Sequence, residues 1–295
     1  MKTKFIAEVS SNHNGDLKRC KQFIKIAAAI GCDGVKFQLF KIDELFASAV
    51  LAKSEKLRKR KQWELPIAFV PELSRYAHSL GLEFSCTPFY LKAVEELKPY
   101  VDFYKIASYE LLWHDLFRAC ARTGKPLVFS TGMATLPEIK HALNSIRGLK
   151  TKNVTVLHCS SAYPTPVREA NLKTIETLRH GLNEFQKPYH LTVGFSDHTV
   201  SEEVILRAVH RYDTSMVEFH LDLDGKGEEF AAGHCWLPEP MRQVIRFSKM
   251  KSSLDGSGIK TPANAEMLDR VWRADPSDGL RPLKRIRRTF SGKLR

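Results

Sequence analysis

Two kinds of segment alternate along the chain. Short runs of apolar and β-branched residues read as strands: 5–10 (FIAEVS), 34–40 (GVKFQLF), 83–89 (EFSCTPF), 103–108 (FYKIAS), 126–132 (PLVFSTG), 154–161 (VTVLHCSS), 191–198 (LTVGFSDH) and 215–223 (SMVEFHLDL). Each is followed by a longer stretch that reads as a helix, at 16–31, 67–81 (after an insertion), 91–101, 114–124, 136–146, 171–185, 201–213 and 238–250. Leu172, Ile175, Leu178, Leu182 and Phe185 recur at three- and four-residue spacing and form one apolar helical stripe. In TGKP (123–126) a glycine stops a helix and a proline precedes the next strand. Nearly continuous apolar strands are those of a parallel sheet covered on both faces. Eight βα units in about 250 residues predict an α/β fold, the (β/α)8 TIM barrel. A doubly wound open sheet is the alternative. It has little support, because no G-x-G-x-x-G follows the first strand and no P-loop is present.

Polar residues collect where the strands stop, which in a barrel is the end that carries the active site. Strand one ends in Glu8, followed by Asn12, His13 and Asn14. Strand two carries Lys36 and Gln38, two apart and so on one face. The next strands contribute Ser85 and Thr87, Lys105 and Ser108, Ser130 and Thr131, then His158 and Ser160 with Ser161 and Tyr163 beyond. Strand seven ends in Ser196, Asp197 and His198, strand eight in His220 and Asp222. Neighbouring strands lie about 4.8 Å apart, so His198 and His220 can converge on one point. Two imidazoles beside open positions suit a divalent transition metal acting as a Lewis acid. Lysines deep in a barrel need an anion to pair with. The pattern predicts a cup for a phosphorylated carboxylic acid with a metal on one side. Cys159 has no base partner in this pattern and reads as structural.

Composition narrows the setting. Of 295 residues 43% are hydrophobic and 27% charged, which are globular values, and net charge is +13. The charge suits anionic partners. Its densest runs, KSEKLRKRKQ (53–62) and LKRIRR (283–288), read as solvated segments, with no interleaved aromatic residues to stack bases. Six scattered cysteines without a C-x-x-C pair suit reduced thiols in a cytoplasmic protein. No long apolar run marks a membrane span or a signal peptide. The domain expectation is a catalytic barrel over residues 1–275 and a basic tail over 276–295.

In this order, FIAEVSSNHNGD, GVKFQLF, SCTPF, YKIAS, GKPLVFSTGMATLPEI, LHCSSAYPTP, GFSDHT and VEFHLDLD resemble the sialic acid synthase family, the phosphoenolpyruvate-dependent N-acetylneuraminate synthases. The resemblance runs over roughly residues 5–250. It implies a barrel that condenses phosphoenolpyruvate with the open-chain aldehyde of an N-acetylmannosamine-type sugar. It further implies a divalent metal on His198 and His220, manganese in preference to Mg2+ or Co2+. Phosphoenolpyruvate would be held by Lys36, Thr87, Lys105, Ser108, Ser130 and Ser196. Ser161, Tyr163 and Glu229 join the list of substrate-contacting residues. Glu8, Gln38 and Lys36 are the expected catalytic groups, with Glu8 as acid–base. The family usually continues into a small antifreeze-like domain that lends an arginine to the sugar pocket across a dimer. Here IRRTF (286–290) is followed by five residues. The expectation is therefore a barrel-only homodimer, with a separate sugar-binding partner as a further option. Where the family reads like G-P-D-H after strand eight, this chain has GKGEEFAAGHCW (225–236), with Glu228, Glu229 and His234 on hand to replace the sugar-binding aspartate. Alternatives are a synthase for another aldose or a phosphosugar, which the basic insert would favour, and a non-catalytic anion or nucleic-acid binder. Strand-tip chemistry argues against nucleic acid, which needs surface basic residues.

Overall fold

All eight predicted strands form: β1 (Lys4–Glu8), β2 (Gly34–Leu39), β3 (Glu83–Pro88), β4 (Phe103–Ile106), β5 (Leu127–Ser130), β6 (Asn153–Cys159), β7 (His190–Asp197) and β8 (Met216–Leu221). The computed structural model, which describes residues 2–292, pairs them in parallel and in chain order, and β1 pairs with β8 to close the ring. The chain is a closed (β/α)8 barrel. A ninth strand, β9 (Cys235–Trp236), lies parallel to β8 outside the ring, with His220 opposite Cys235. Two residues are too few to carry a period, so no pattern in the sequence announces it.

Up to Lys249 the α-helices comprise one in each predicted segment and four short ones outside them, three in the insertion after β2 and one after β8. They are α1 (Leu17–Ile30), α2 (Ile42–Leu45), α3 (Ser48–Lys53), α4 (Glu55–Lys59), α5 (Val70–Ser79), α6 (Leu91–Leu97), α7 (His114–Arg122), α8 (Leu136–Ser145), α9 (Thr174–Gly181), α10 (Glu202–His210), α11 (Glu228–Ala231) and α12 (Pro238–Lys249). Helix α1 shows how local chemistry sets the limits: the Asp16 side chain accepts from the Lys18 and Arg19 N–H groups, and Gly31 ends it at φ 92°. Among the described residues no helix is long and apolar enough to cross a membrane.

The two-residue period of the strands explains how one barrel holds both a dry floor and a polar mouth. Ile6, Phe103, Val128, Leu157 and Met216, from five different strands, form a small apolar cluster separate from the main core. This cluster plugs the barrel's lower end. Two residues further along the same strands, and so on the same face, stand Glu8, Lys105, Ser130, Cys159 and Glu218. The main core lies between strands and helices, with Phe5, Phe23, Phe37, Phe84, Phe117 and Phe129 fully buried.

Gly194 has no room for a side chain: a Cβ there would meet the Met216 carbonyl oxygen at 2.5 Å and Leu157 Cδ2 at 2.6 Å. The first is backbone and cannot step aside. Gly194→Ala should therefore cost about 2–3 kcal/mol, read as a fall in the urea midpoint at unchanged slope. A variant as stable as the parent would show that β7 and β8 can separate locally.

The chain divides into a compact unit ending at Lys251 and a second unit from Ser252 onward. This division falls earlier than the residue 275 limit set from the sequence. After α12 the apolar side chains Leu254, Ile259, Met267 and Leu268 are exposed. In the second unit Arg287 forks onto Asp278, and Trp272 meets Phe290 edge-on at 5.5 Å.

Candidate active site

Four charged side chains meet at the bottom of the barrel mouth. Lys36 on β2 and Lys105 on β4 are each 2% exposed. Lys105 Nζ donates to Glu218 Oε1 at 3.1 Å. Lys36 Nζ lies 3.8 Å from the same oxygen, forms an ion pair with Glu8 and donates to Thr87 Oγ1 at 3.2 Å. Glu8 Oε1 accepts from the Ser10 N–H at 2.7 Å and from Gln38 Nε2 at 3.1 Å. Ser196 Oγ reaches Glu218 Oε1 at 3.5 Å. Burial works against every one of these charges. For Lys36 the carboxylates of Glu218 and Glu8 outweigh it and hold the ammonium above its ordinary pKa. For Lys105 burial prevails over the help from Glu218, and its pKa falls. Burial would raise the Glu218 carboxyl, but Lys105 and Lys36 hold it below the usual range. Glu218 is the hub of the network, and the sequence reading passes over it. The signal is there in retrospect: it stands two residues before His220, on the same face of β8.

Beside this network lies a group of hydroxyls and backbone donors. Ser108 Oγ accepts from the Gly132 N–H at 3.0 Å. A Cβ at Gly132 would collide with Ser161 Oγ and Cβ, so Gly132 leaves the space into which Ser161 reaches. Ser130 Oγ is buried and has no partner. A buried hydroxyl with an open bond, on the strand paired with that of Lys105, fits an anion with several acceptor oxygens.

On the rim stand three imidazoles around Tyr163. Ring centroids of His198 and His220 are 5.3 Å apart and those of His220 and His234 5.0 Å; Tyr163 lies 4.2 Å from His198 and 5.0 Å from His234. His198 Nδ1 is 2.9 Å from the Ser160 carbonyl and His220 Nδ1 2.9 Å from Glu229 Oε2. Glu229 lines the cavity, but its other oxygen accepts from Ser10 Oγ at 2.5 Å and from the Ser11 N–H at 3.3 Å. Among the described residues, the group able to hold a metal is His220, Glu229, His234 and Cys235. Of the two histidines expected to do so, His220 belongs to it and His198 stands alongside. Imidazole, carboxylate and sulfur donors fit a divalent transition metal. Cys159 is not without a base: its Sγ is 3.7 Å from His198 Nδ1 and 3.7 Å from Ser161 Oγ. Burial disfavours the thiolate, yet His198 outweighs it, so the thiol falls below and the imidazole rises above its ordinary pKa. Two other polar tips are structural. Asp197 accepts from Thr199, Val200 and the Trp236 indole, and His158 bonds the Ala170 carbonyl.

Above the charged floor opens a cavity of about 570 Å³. Gln38, His220, Glu229 and His234 line one side, and Phe40, Ile42, Leu45, Phe46 and Phe89 form an apolar wall opposite. Most of that wall comes from the insertion after β2. The insertion's basic run folds into α4 and a 3-10 turn over Arg60–Trp63. Lys59 pairs with Glu55 and Lys61 with Asp43, while Arg58 donates to the Leu51 and Ala52 carbonyls. Arg60 alone of this run lines the main cavity, its guanidinium 5.3 Å from the Trp63 ring and 5.9 Å from that of Phe46.

Glu110 also lines the cavity. One of its oxygens is buried without a partner, and burial raises its carboxyl from 4.5 to about 7, against its own backbone N–H and Lys105. The folded state thus holds a proton that the unfolded chain gives up above pH 4.5. Stability falls as pH rises from 4.5 to about 7 and is level beyond. Glu110→Gln should remove that slope and be the more stable form at pH 8, measured by urea midpoints across the range; parallel curves for the two proteins would refute it.

The arrangement has counterparts. The model of the NeuB family matches residues 23–260. The chain belongs to the NeuB family. An uncharacterized protein of Methanocaldococcus jannaschii is 34% identical over 265 residues, covering 90% of this chain and 75% of that one. An N,N'-diacetyllegionaminic acid synthase of Campylobacter jejuni is 33% identical over 280 residues, covering 90% and 81%. The structure of an N-acetylneuraminic acid (sialic acid) synthetase from Leptospira borgpetersenii superposes with a TM-score of 0.77 at 26% identity, covering 91% of this NeuB chain and 90% of that one.

Proposed function

We propose that this NeuB-family protein condenses phosphoenolpyruvate with an unphosphorylated, N-acetylmannosamine-like aldose to give a nonulosonic acid and phosphate. The observation that carries this reading is the placement of two buried lysines and a partnerless serine directly beneath a cavity with an apolar wall. An acid bearing carboxylate and phosphate presents further oxygens to Lys36 and Lys105, which Glu8 and Glu218 hold as ammonium ions in the barrel mouth. Thr87, Ser108, Ser130, Ser161 and Ser196 surround that position with hydroxyls, so the enolpyruvyl group is fixed with its C3 toward the cavity. The aldose takes the space above, its acyl group against Phe40, Ile42 and Phe46, with Tyr163 at the rim. C3 of phosphoenolpyruvate bonds to the aldehyde carbon, and the aldehyde oxygen takes up a proton. Water adds at C2, and Glu8, oriented by Ser10 and Gln38, accepts its proton. The C2–O bond to phosphate then breaks, the C2 hydroxyl proton passes to the departing phosphate, and the keto acid is left. A divalent cation at His220, with His198 on one side and Glu229 and His234 on the other, would supply polarisation of the aldehyde. Within the insert Lys59 and Lys61 pair with Glu55 and Asp43 and Arg58 with backbone carbonyls, which leaves Arg60 as its one cation lining the cavity, against the carboxyl groups of Glu110 and Glu229. That charge pattern favours a neutral acceptor over a phosphosugar.

The test is phosphate release from phosphoenolpyruvate by the purified protein with a divalent metal. Release is expected only when N-acetylmannosamine or an acylamino relative is present. Absence of release with every aldose in a broad panel, phosphorylated ones included, would overturn the reading.

A further inference from the structure

Strand β9 brings to the rim two side chains that the expected pair of metal histidines does not include. Its pairing with β8 sets Cys235 opposite His220, and His234 immediately precedes it. Helix α11 places Glu229 among them. Glu229 Oε2 is 2.9 Å from His220 Nδ1, 3.6 Å from His234 Nε2 and 3.9 Å from Cys235 Sγ. One donor atom from each of the four residues lies within 4.8 Å of all the others. Donors bound tetrahedrally at about 2.0–2.3 Å stand about 3.3–3.8 Å from one another, so these separations need only small adjustments. His234 is only 6% exposed, and its Nδ1 is buried with no partner. The other ring nitrogen, Nε2, is the one that faces Glu229. His198 is differently engaged: its Nδ1 faces the Ser160 carbonyl and the Cys159 sulfur.

We propose that His220, Glu229, His234 and Cys235 form the cation seat of this chain, a set of two nitrogens, one oxygen and one sulfur. Its use in aldehyde polarisation rests on the synthase reading, whereas the seat itself rests on the donors alone. Sulfur and imidazole select a borderline ion of the zinc type over manganese or magnesium, which prefer oxygen. On binding, the Cys235 S–H bond breaks, sulfur bonds to the cation and the proton passes to solvent.

Cobalt(II) reads this directly. The whole protein, freed of metal by a chelator, would be titrated with Co2+ and followed by absorbance. A thiolate-to-cobalt charge-transfer band is expected. Cys235→Ser should remove that band and leave the visible cobalt bands. His234→Ala should weaken Co2+ binding by about tenfold or more. His198→Ala should keep both the band and the affinity. The proposal is overturned if the parent shows no thiolate band, or if Cys235→Ser leaves it intact. It is equally overturned if binding is lost in His198→Ala and unchanged in His234→Ala, which would give the cation to the His198–His220 pair. Cys235→Ser changes one atom and keeps the test open should His234→Ala fail to fold. Phosphate release, measured on the same samples, fails separately if the synthase reading is wrong while the cobalt spectrum stands.

Discussion

Lys36→Met is expected to lose both the proposed phosphoenolpyruvate site and a large part of the protein's stability. The side chain is 3% exposed and lies between Glu8 and Glu218. Methionine keeps the length of the stem but leaves two buried carboxylates sharing one remaining counter-ion, Lys105. Removing one partner of a buried ion pair costs about 3–5 kcal/mol, because the other charge stays desolvated. One of the carboxylates is then expected to take up a proton, so the loss should be smaller in acid. Binding suffers independently, since the substrate anion is left with a single ammonium. The expected result is a fall of at least about 10²-fold in kcat/KM for phosphoenolpyruvate, together with a urea midpoint that recovers as pH is lowered. Lys36→Met/Glu8→Gln, which restores the charge balance, should regain stability without regaining phosphoenolpyruvate binding, followed calorimetrically. If stability and binding returned together, Lys36 would be a structural cation only.

His220→Ala abolishes condensation while leaving phosphoenolpyruvate binding largely intact. His220 is central among the three rim imidazoles and contacts Glu229. It belongs to every donor set that the rim can offer a cation. The lysine network lies one step deeper and does not depend on the imidazole ring, so the anion site remains. Loss of charge stabilisation at the reacting carbonyl is expected to lower kcat by about 10³-fold. Equilibrium binding of phosphoenolpyruvate, followed calorimetrically, should change little. A variant that condensed at the parental rate would remove the rim histidines from the reaction. One that lost phosphoenolpyruvate binding altogether would place the anion higher in the mouth than the lysines do.

The barrel is legible in the sequence because its two periods differ sharply: eight apolar strands end in polar residues, and eight stretches carry helical stripes. The same alternation makes Lys36, Thr87, Lys105, Ser130, Ser196 and His220 visible as tip residues. Glu218 is less visible, because an acid inside an apolar run reads as an interruption until the lysines opposite it are placed. The Cys159–His198 contact joins residues 39 apart in sequence. It follows only from the β6–β7 register, in which Cys159 lies opposite Ser196. Arg60 is one of nine polar residues in the run 53–62, and what separates it is the fold of the insertion, which places it on Trp63 and Phe46. The cation group at Glu229, His234 and Cys235 waits on a two-residue strand that no periodicity reveals.

The ring is closed by its first and last strands, and this has a consequence for how the protein is made. Emerging from the ribosome, β1 offers Glu8 and β2 offers Lys36, which can pair at once. Lys105 must wait for Glu218, 113 residues later, and β1 keeps an open edge until β8 arrives. Through most of synthesis the nascent chain therefore carries an unpaired strand edge and an unmatched cation destined for the interior, a state that invites mispairing. Arg19 is set to limit it: from α1 it bonds the Asn12 carbonyl at 2.7 Å, and it later captures Asp222 and Asp224 just past β8. The last strand of the ring thus brings its own latch to a residue that has been held in place from the start.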